Sequence, residues 1–246
     1  MNARKSTVLN CFSPPVMVAT LTIETVLAIY TFWRYKMSEI TRLVVAMLLL
    51  LATFQLAEYH VCTGPGPSAV PWSRLGFVAI TALPPLGLHI LHRLAGKPSR
   101  RFVYSVYGVM AGFMAFFLIA PTAFTGHVCT GNYVIFQFSP KVTGLYSIYY
   151  FGLLLISLAL GFRWASELKA RGAQAVNKMQ AVRGLIISYL VFLVPTGLAN
   201  VFRPQTSHGI PSVMCGFAVT TALILALYIM PRAAEAKSLT KQPKHL

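Results

Sequence analysis

The sequence predicts an all-α membrane protein: a bundle of seven transmembrane helices, with the N-terminus outside and the C-terminus in the cytoplasm. Hydrophobic residues make up 56% of the 246 residues and charged residues only 11%, too little charge to cover a soluble domain. The apolar residues fall in seven runs, each of about 18 to 23 residues, the length that crosses a bilayer as a helix. Of the 21 Lys and Arg residues, 16 lie at one set of run ends and 5 at the other, the positive-inside pattern. That alternation also argues against nucleic acid as the partner of a chain with net charge +16.

A short external tail over residues 1–13 precedes the first run, Pro14 to Trp33, where Pro14-Pro15 suits a helix start. Arg4 and Lys5 oppose the orientation, but the summed bias outweighs them. A cleaved signal peptide is the competing reading of this run. No small-residue cleavage site follows it, and Arg34-Tyr35-Lys36 reads as a stop signal. Glu24 sits near mid-run, with Thr20 and Thr31 on its face at helical spacing. A carboxyl at that depth is costly and faces the bundle interior. It is either a ligand or proton site, or a protonated group bonded to a neighbouring helix.

The second run, Leu43 to His60, carries Gln55 and Glu58 near its outer end, where solvation is the expected role of Glu58 and a ligand contact the other. Val61 to Pro71 reads as an uncharged turn. The third run, Ser73 to Ala95, holds Pro84-Pro85. These prolines remove two backbone donors and predict a kink, whose freed carbonyls need partners on neighbouring helices, on Thr81 or in a buried water. His89 and His92 share a face but have no imidazole partner at their depth for a haem, so they read as interfacial or hydrogen-bonded histidines.

The fourth run ends at Pro121 and leads into the longest outer loop, Thr122 to Lys141. The fifth, Val142 to Phe162, opens with Tyr146, Tyr149 and Tyr150, expected at the membrane interface. Residues 163–183 are basic and helix-forming, an extension of the helices on either side. The sixth, Gly184 to Phe202, carries Pro195, a second hinge candidate, and Asn200 near its outer end. The seventh, Ser212 to Met230, stops at Pro231. The membrane domain thus spans 14–231, and a basic cytoplasmic tail covers 232–246.

The pentapeptide His-Val-Cys-Thr-Gly occurs twice, at His60 to Gly64 and His127 to Gly131, each time after an apolar run. All four cysteines, Cys11, Cys62, Cys129 and Cys215, map to the outer side, where disulfides persist. Four cysteines allow three pairings. Cys62 with Cys129 is favoured because both follow their helices in the same motif. Free buried thiols are one alternative. A Zn or Cu shell of His60, Cys62, His127 and Cys129 is another, although His-x-Cys is not a usual structural zinc spacing and an oxidised pair cannot ligate in this way.

The chain has no Asp, which excludes a ceramidase-type membrane hydrolase, and its last run has no Lys for a retinal Schiff base. G-x-S-x-G, H-E-x-x-H, C-x-x-C and a phosphate loop are all missing, so no enzyme activity and no cofactor are expected.

Trp72-Ser73-Arg74-Leu75-Gly76-Phe77, followed by Ala82-Leu83-Pro84-Pro85-Leu86-Gly87-Leu88-His89, resembles the third helix of the seven-helix sensor region of bacterial histidine kinases. Gly144 to Leu160, and Gly184 to Asn200 with Val194-Pro195, are similar to later helices of that family. The family's helices precede a kinase or related output domain. Here a short tail follows Pro231, so neither the output function nor any ligand contact is carried over.

The reading is a receptor-like sensor in a cell membrane, expected to be a bacterial inner membrane. It would bind a small or lipophilic ligand in an outward-facing pocket lined by Glu24, Gln55, Glu58 and Asn200. Movement about Pro84, Pro85 and Pro195 would report to a separate cytoplasmic signalling protein. Membrane lipid and a second copy of the chain are the other expected partners. A small transporter or channel is the first alternative, marked by inverted repeats with broken helices. An outer-face metal or redox protein is the second. The charge split predicts that a reporter fused after Leu246 is active in the cytoplasm and one inserted near Cys129 is active outside. External activity of the Leu246 fusion would reverse the arrangement.

Overall fold

The computed structural model describes residues 13–63, 69–121, 123–124, 126–129, 134–137, 140–202 and 215–233. The helices are α1 (Pro14–Arg34), α2 (Glu39–Thr63), α3 (Ala69–Leu94), α4 (Arg100–Ile119), α5 (Pro140–Ala170), α6 (Val176–Phe202) and α7 (Cys215–Leu223). A 3-10 turn, Gly172–Ala175, joins α5 to α6. A π-helical segment, Ile224–Ile229, continues α7, and the helix runs on to Ala233. Six of the helices are long and apolar enough to cross a membrane, and Phe217–Ala233 is a shorter apolar helix. The protein is an all-α, multi-pass membrane bundle.

The helices pack largely in chain order: α1 on α2, α2 on α3, α3 on α4, α5 on α6 and α6 on α7. Contacts of α7 with α1 link the two ends of the series, and α3 also touches α5 and α6. Thus α3 is the interior helix and is almost wholly buried, whereas α4 packs mainly on α3 and is mostly exposed. Small residues let α3 take that place, since close backbone approach drives helix packing in lipid. A Cβ at Gly76 would lie 3.2 Å from the Ala57 Cβ on α2. At Gly87 a Cβ would collide with the Tyr189 hydroxyl of α6.

Pro84 and Pro85 lie inside α3 without ending it. Pro85 has no N–H to give to the carbonyl four residues back, which belongs to Thr81. The Tyr149 hydroxyl on α5 donates to that Thr81 carbonyl at 2.8 Å. Thr81 Oγ1 donates to the Phe77 carbonyl at 2.5 Å, and the Tyr146 hydroxyl lies 3.2 Å from Thr81 Oγ1. A neighbouring helix therefore fills the backbone vacancy, one of the solutions the sequence allows. Tyr146, Tyr149 and Tyr150 are all buried, not interfacial as expected. The hydroxyls of Tyr146 and Tyr149 give α5 a polar hold on α3 that lipid-facing positions could not provide.

The end of the bundle holding the last turn of α2 is built differently from the sequence expectation. The first pentapeptide is not in a loop: Val61, Cys62 and Thr63 are the last turn of α2, and α3 starts at Ala69, before the expected Ser73. Residues 64–68 of that turn lie outside the described residues. Of the second copy, His127, Val128 and Cys129 are in a strand, and its last two residues lie outside the described residues. β1 (Gly126–Cys129) pairs antiparallel with β2 (Val134–Gln137), an element the sequence reading missed. Cys62 and Cys129 form a disulfide with Cα atoms 5.8 Å apart. It fastens the end of α2 to the hairpin. Beside the hairpin, Phe136 and Phe124 pack on Phe77 of α3, which also meets Phe117 of α4 and Tyr146 of α5. Arg74 donates to the carbonyls of Phe117, Leu118 and Ala120 at 2.9, 2.5 and 2.9 Å. It thereby caps the open C-terminal turn of α4.

The opposite end carries most of the basic residues and two ion-paired acids. Glu39 at the start of α2 pairs with Arg93 and lies 3.3 Å from His89 Nε2, both on α3. Glu167 on α5 pairs with Lys97 and with Arg163, the latter at 3.1 Å. The basic segment after residue 163 extends α5 and α6, as its composition suggests. Pro231 does not stop α7; the helix passes it by two residues, to Ala233, after the π segment. In that segment bonds run five residues back, so the missing Pro231 donor need not break the helix.

Cys62 and Cys129 are 67 residues apart, and closing so large a loop is worth about 4 kcal/mol in the chain-entropy account. Replacing both with Ser should lower unfolding stability in detergent by up to that amount. Peptide mapping without reductant should recover the linked peptides. Free alkylation of both thiols would contradict the bond.

Candidate functional site

The buried face of α1 runs Met17, Thr20, Glu24, Leu27, Ala28 and Thr31, an interior stripe at helical spacing. It faces α2 and α7, the helices α1 packs against. Glu24 is 0% exposed, and neither carboxyl oxygen has a hydrogen-bond partner among the described residues. The threonines on the stripe do not serve it. Thr20 donates to the Val16 carbonyl at 2.9 Å and Thr31 to the Leu27 carbonyl at 2.7 Å, each within its own helix.

Gln55 and Glu58 share one face of α2 and are 2% and 1% exposed. Glu58 is therefore an interior residue, and solvation is not its role. Its place near the helix end suggested water, but the packing of α2 against α1 and α3 encloses it. Counting back from the α1–α2 connection at 1.5 Å per residue, Gln55 and Glu58 stand about 9 and 14 Å further from that connection than Glu24 does. The three groups are interior but lie at different depths. Asn200 belongs to α6, and its side chain lies outside the described residues. Pro84 and Pro85 are buried; Pro195 lies inside α6.

Two cavities open elsewhere. One, of about 230 Å³, lies at the basic end between α3 and α4 and is lined by residues including Glu39, His92, Arg93, Arg100 and Tyr104. The other, of about 300 Å³, is apolar and lies between α4 and the start of α5. Neither touches Glu24, Gln55 or Glu58.

The alternative metal shell does not form. Its two thiols are joined in the disulfide, and His60 stacks on Trp72 with ring centroids 4.1 Å apart. His127 lies on β1, and no group of three or more His, Cys, Asp or Glu among the described residues is placed to hold a metal. His89 Nδ1 lies 3.0 Å from the Tyr107 hydroxyl, and His92 Nδ1 donates to the Lys97 carbonyl at 2.7 Å. Both are hydrogen-bonded histidines, one of the roles expected of them.

The sequence reading missed the roles of Tyr149, Arg74 and Glu39. A tyrosine triplet facing a double proline was a usable signal for the first. Nothing local marks Arg74 as a helix cap, because its acceptors are 43 to 46 residues away. Comparison with known protein families and with curated proteins finds no match to this chain.

Glu24 is expected to cost stability, because a buried polar group without a partner forfeits its hydration. Glu24→Met, close in length and apolar, should stabilise the protein by about 1–3 kcal/mol in detergent unfolding. Destabilisation of that size would mean that the carboxyl has a structural partner.

Proposed function

We propose that the protein is a receptor-like membrane sensor. A small or lipophilic ligand binds inside the bundle beside Glu24, and the change is passed to a separate cytoplasmic protein at the basic end. In this reading the N-terminus is outside, the C-terminus is in the cytoplasm of a bacterial inner membrane, and all seven helices span. Glu24 carries the reading. A carboxyl with 0% exposure and no hydrogen-bond partner among the described residues does nothing for the fold they form, and ionisable groups within a membrane mark sites of ligand or ion contact. Gln55 and Glu58, on the helix beside it, are the further polar groups a ligand would meet, with Asn200 from α6.

The two ends of the bundle differ in a way that suits a sensor. One is fastened by a disulfide. The other is joined by ion pairs at partly exposed side chains, which contribute little each and rearrange readily. Pro84, Pro85 and Pro195 lie between the two ends and are the proposed points of bending.

Purification of the intact chain from its membrane, followed by native mass spectrometry, tests the reading. Wild type should retain a small molecule that Glu24→Met loses, and a cytoplasmic protein should co-purify with wild type. A molecule held equally by both forms would contradict the Glu24 site. Solute uptake by vesicles containing only this protein would replace the sensor with a transporter.

A further inference from the structure

The cavity at the basic end has a chemistry of its own. Its charged residues are Glu39, Arg93 and Arg100, with His89 and His92 beside them. Glu39 is taken up by Arg93 and His89. Arg100 has no ion-pair or hydrogen-bond partner among the described residues, so the cavity keeps one uncompensated cation. It also holds the start of α4. The Ser99 side chain makes no cap bond there. The first helical bond in that turn is from the Val103 N–H to the Ser99 carbonyl, so the preceding N–H groups lack helical acceptors and carry the positive end of the helix dipole.

His92 adds an independent observation. It lines the cavity, is 4% exposed and gives its Nδ1–H to the Lys97 carbonyl, while its Nε2 has no partner among the described residues. A buried ring nitrogen of this kind is an unused acceptor for a hydroxyl.

The cavity continues into a track along α4. Tyr104 lines the cavity and is 70% exposed. Above it on the same helical face come Gly108, Ala111, Gly112 and Ala115, all exposed. Apart from the adjoining backbone of α4 itself, no atom of the described residues lies within 4 Å of where a Cβ on Gly108 or Gly112 would stand. The result is a smooth apolar strip about 16 Å long from Tyr104 to Ala115 at 1.5 Å per residue. It leads from a cationic cavity at one membrane surface toward the middle of the bilayer.

We propose that this is a site for one anionic phospholipid with hydroxyls on its headgroup, of the phosphatidylglycerol type. The phosphate sits against Arg100 and the first turn of α4. A headgroup hydroxyl donates to His92 Nε2, which the packing of the ring against Phe102 and Trp164 encloses and which the bound headgroup must open to the cavity. An acyl chain lies along Gly108 to Ala115. Basic cavities between helices at a membrane surface have the charge to select such headgroups, and the open strip distinguishes a lipid from a free anion.

The test uses the full chain, delipidated in detergent, with binding followed by thermal unfolding and native mass spectrometry. Phosphatidylglycerol should raise the unfolding temperature and stay bound; phosphatidylcholine should do neither. Arg100→Gln, at an exposed position, should weaken phosphatidylglycerol binding about tenfold, the effect of one charge-assisted contact. Gly108→Leu, which fills the strip without meeting a neighbour, should weaken it too, whereas Arg171→Gln, at the same end but outside the cavity, should leave it unchanged. Equal weakening by Arg171→Gln and Arg100→Gln would show general surface attraction and overturn the site. So would equal binding of both lipids, or inorganic phosphate reproducing the whole shift.

Discussion

At the centre of a bilayer no water replaces a lost backbone hydrogen bond, so each freed carbonyl must find a partner within the protein. The interior helix α3 carries adjacent prolines near its middle, and the carbonyl freed by Pro85 accepts the Tyr149 hydroxyl. Much of the bundle is arranged around this demand. For the bond to form, α5 must reach α3 at that level, and Tyr146 and Tyr149 must face inward. The aromatic cluster of Phe77, Phe117 and Tyr146 packs beside the contact. Without a partner, that carbonyl would cost several kcal/mol in apolar surroundings, a large share of the stability of a domain this size.

The same helix meets different constraints at its ends. At one, Arg74 holds the open carbonyls of α4, and the disulfide holds the hairpin to α2. At the other, Arg93 and Lys97 are held by Glu39 and Glu167 through partly exposed ion pairs, weak fastenings in water. In the proposed reading this asymmetry has a use: a frame fixed at one end lets movement appear at the other. Glu24 in α1 lies outside these constraints and receives nothing from them, which is why it is read as a site for a ligand.

The bundle was legible because length and hydropathy decide what crosses a membrane. The pairing of Cys62 with Cys129 was legible because the repeated motif put two thiols in one compartment. What the sequence hid depends on distant partners. Tyr146, Tyr149 and Tyr150 look like interfacial aromatics until α3 is placed opposite them. Glu58 looks solvated until α1 and α3 close around α2. His-Val-Cys-Thr-Gly carries no fixed structure: one copy completes a helix, while the other enters a strand because β2 supplies its ladder partners. The capping role of Arg74 was hidden, since its carbonyl acceptors belong to the end of another helix. Asn200 was placed beside the ligand by its position in the sixth helix alone, and its side chain lies outside the described residues.

The central claim is that α5 repairs the backbone of α3 at its prolines. A double-mutant cycle with Tyr149→Phe and Pro85→Ala tests it most directly, read by unfolding in detergent. In the wild-type background Tyr149→Phe should cost about 1–3 kcal/mol, because it leaves the Thr81 carbonyl unpaired. With alanine at position 85 the helix supplies its own N–H to that carbonyl, and the same change should cost little. The account predicts a coupling of at least about 1 kcal/mol between the two positions. Additive effects would mean that Tyr149 holds α3 by packing alone and would contradict the repair.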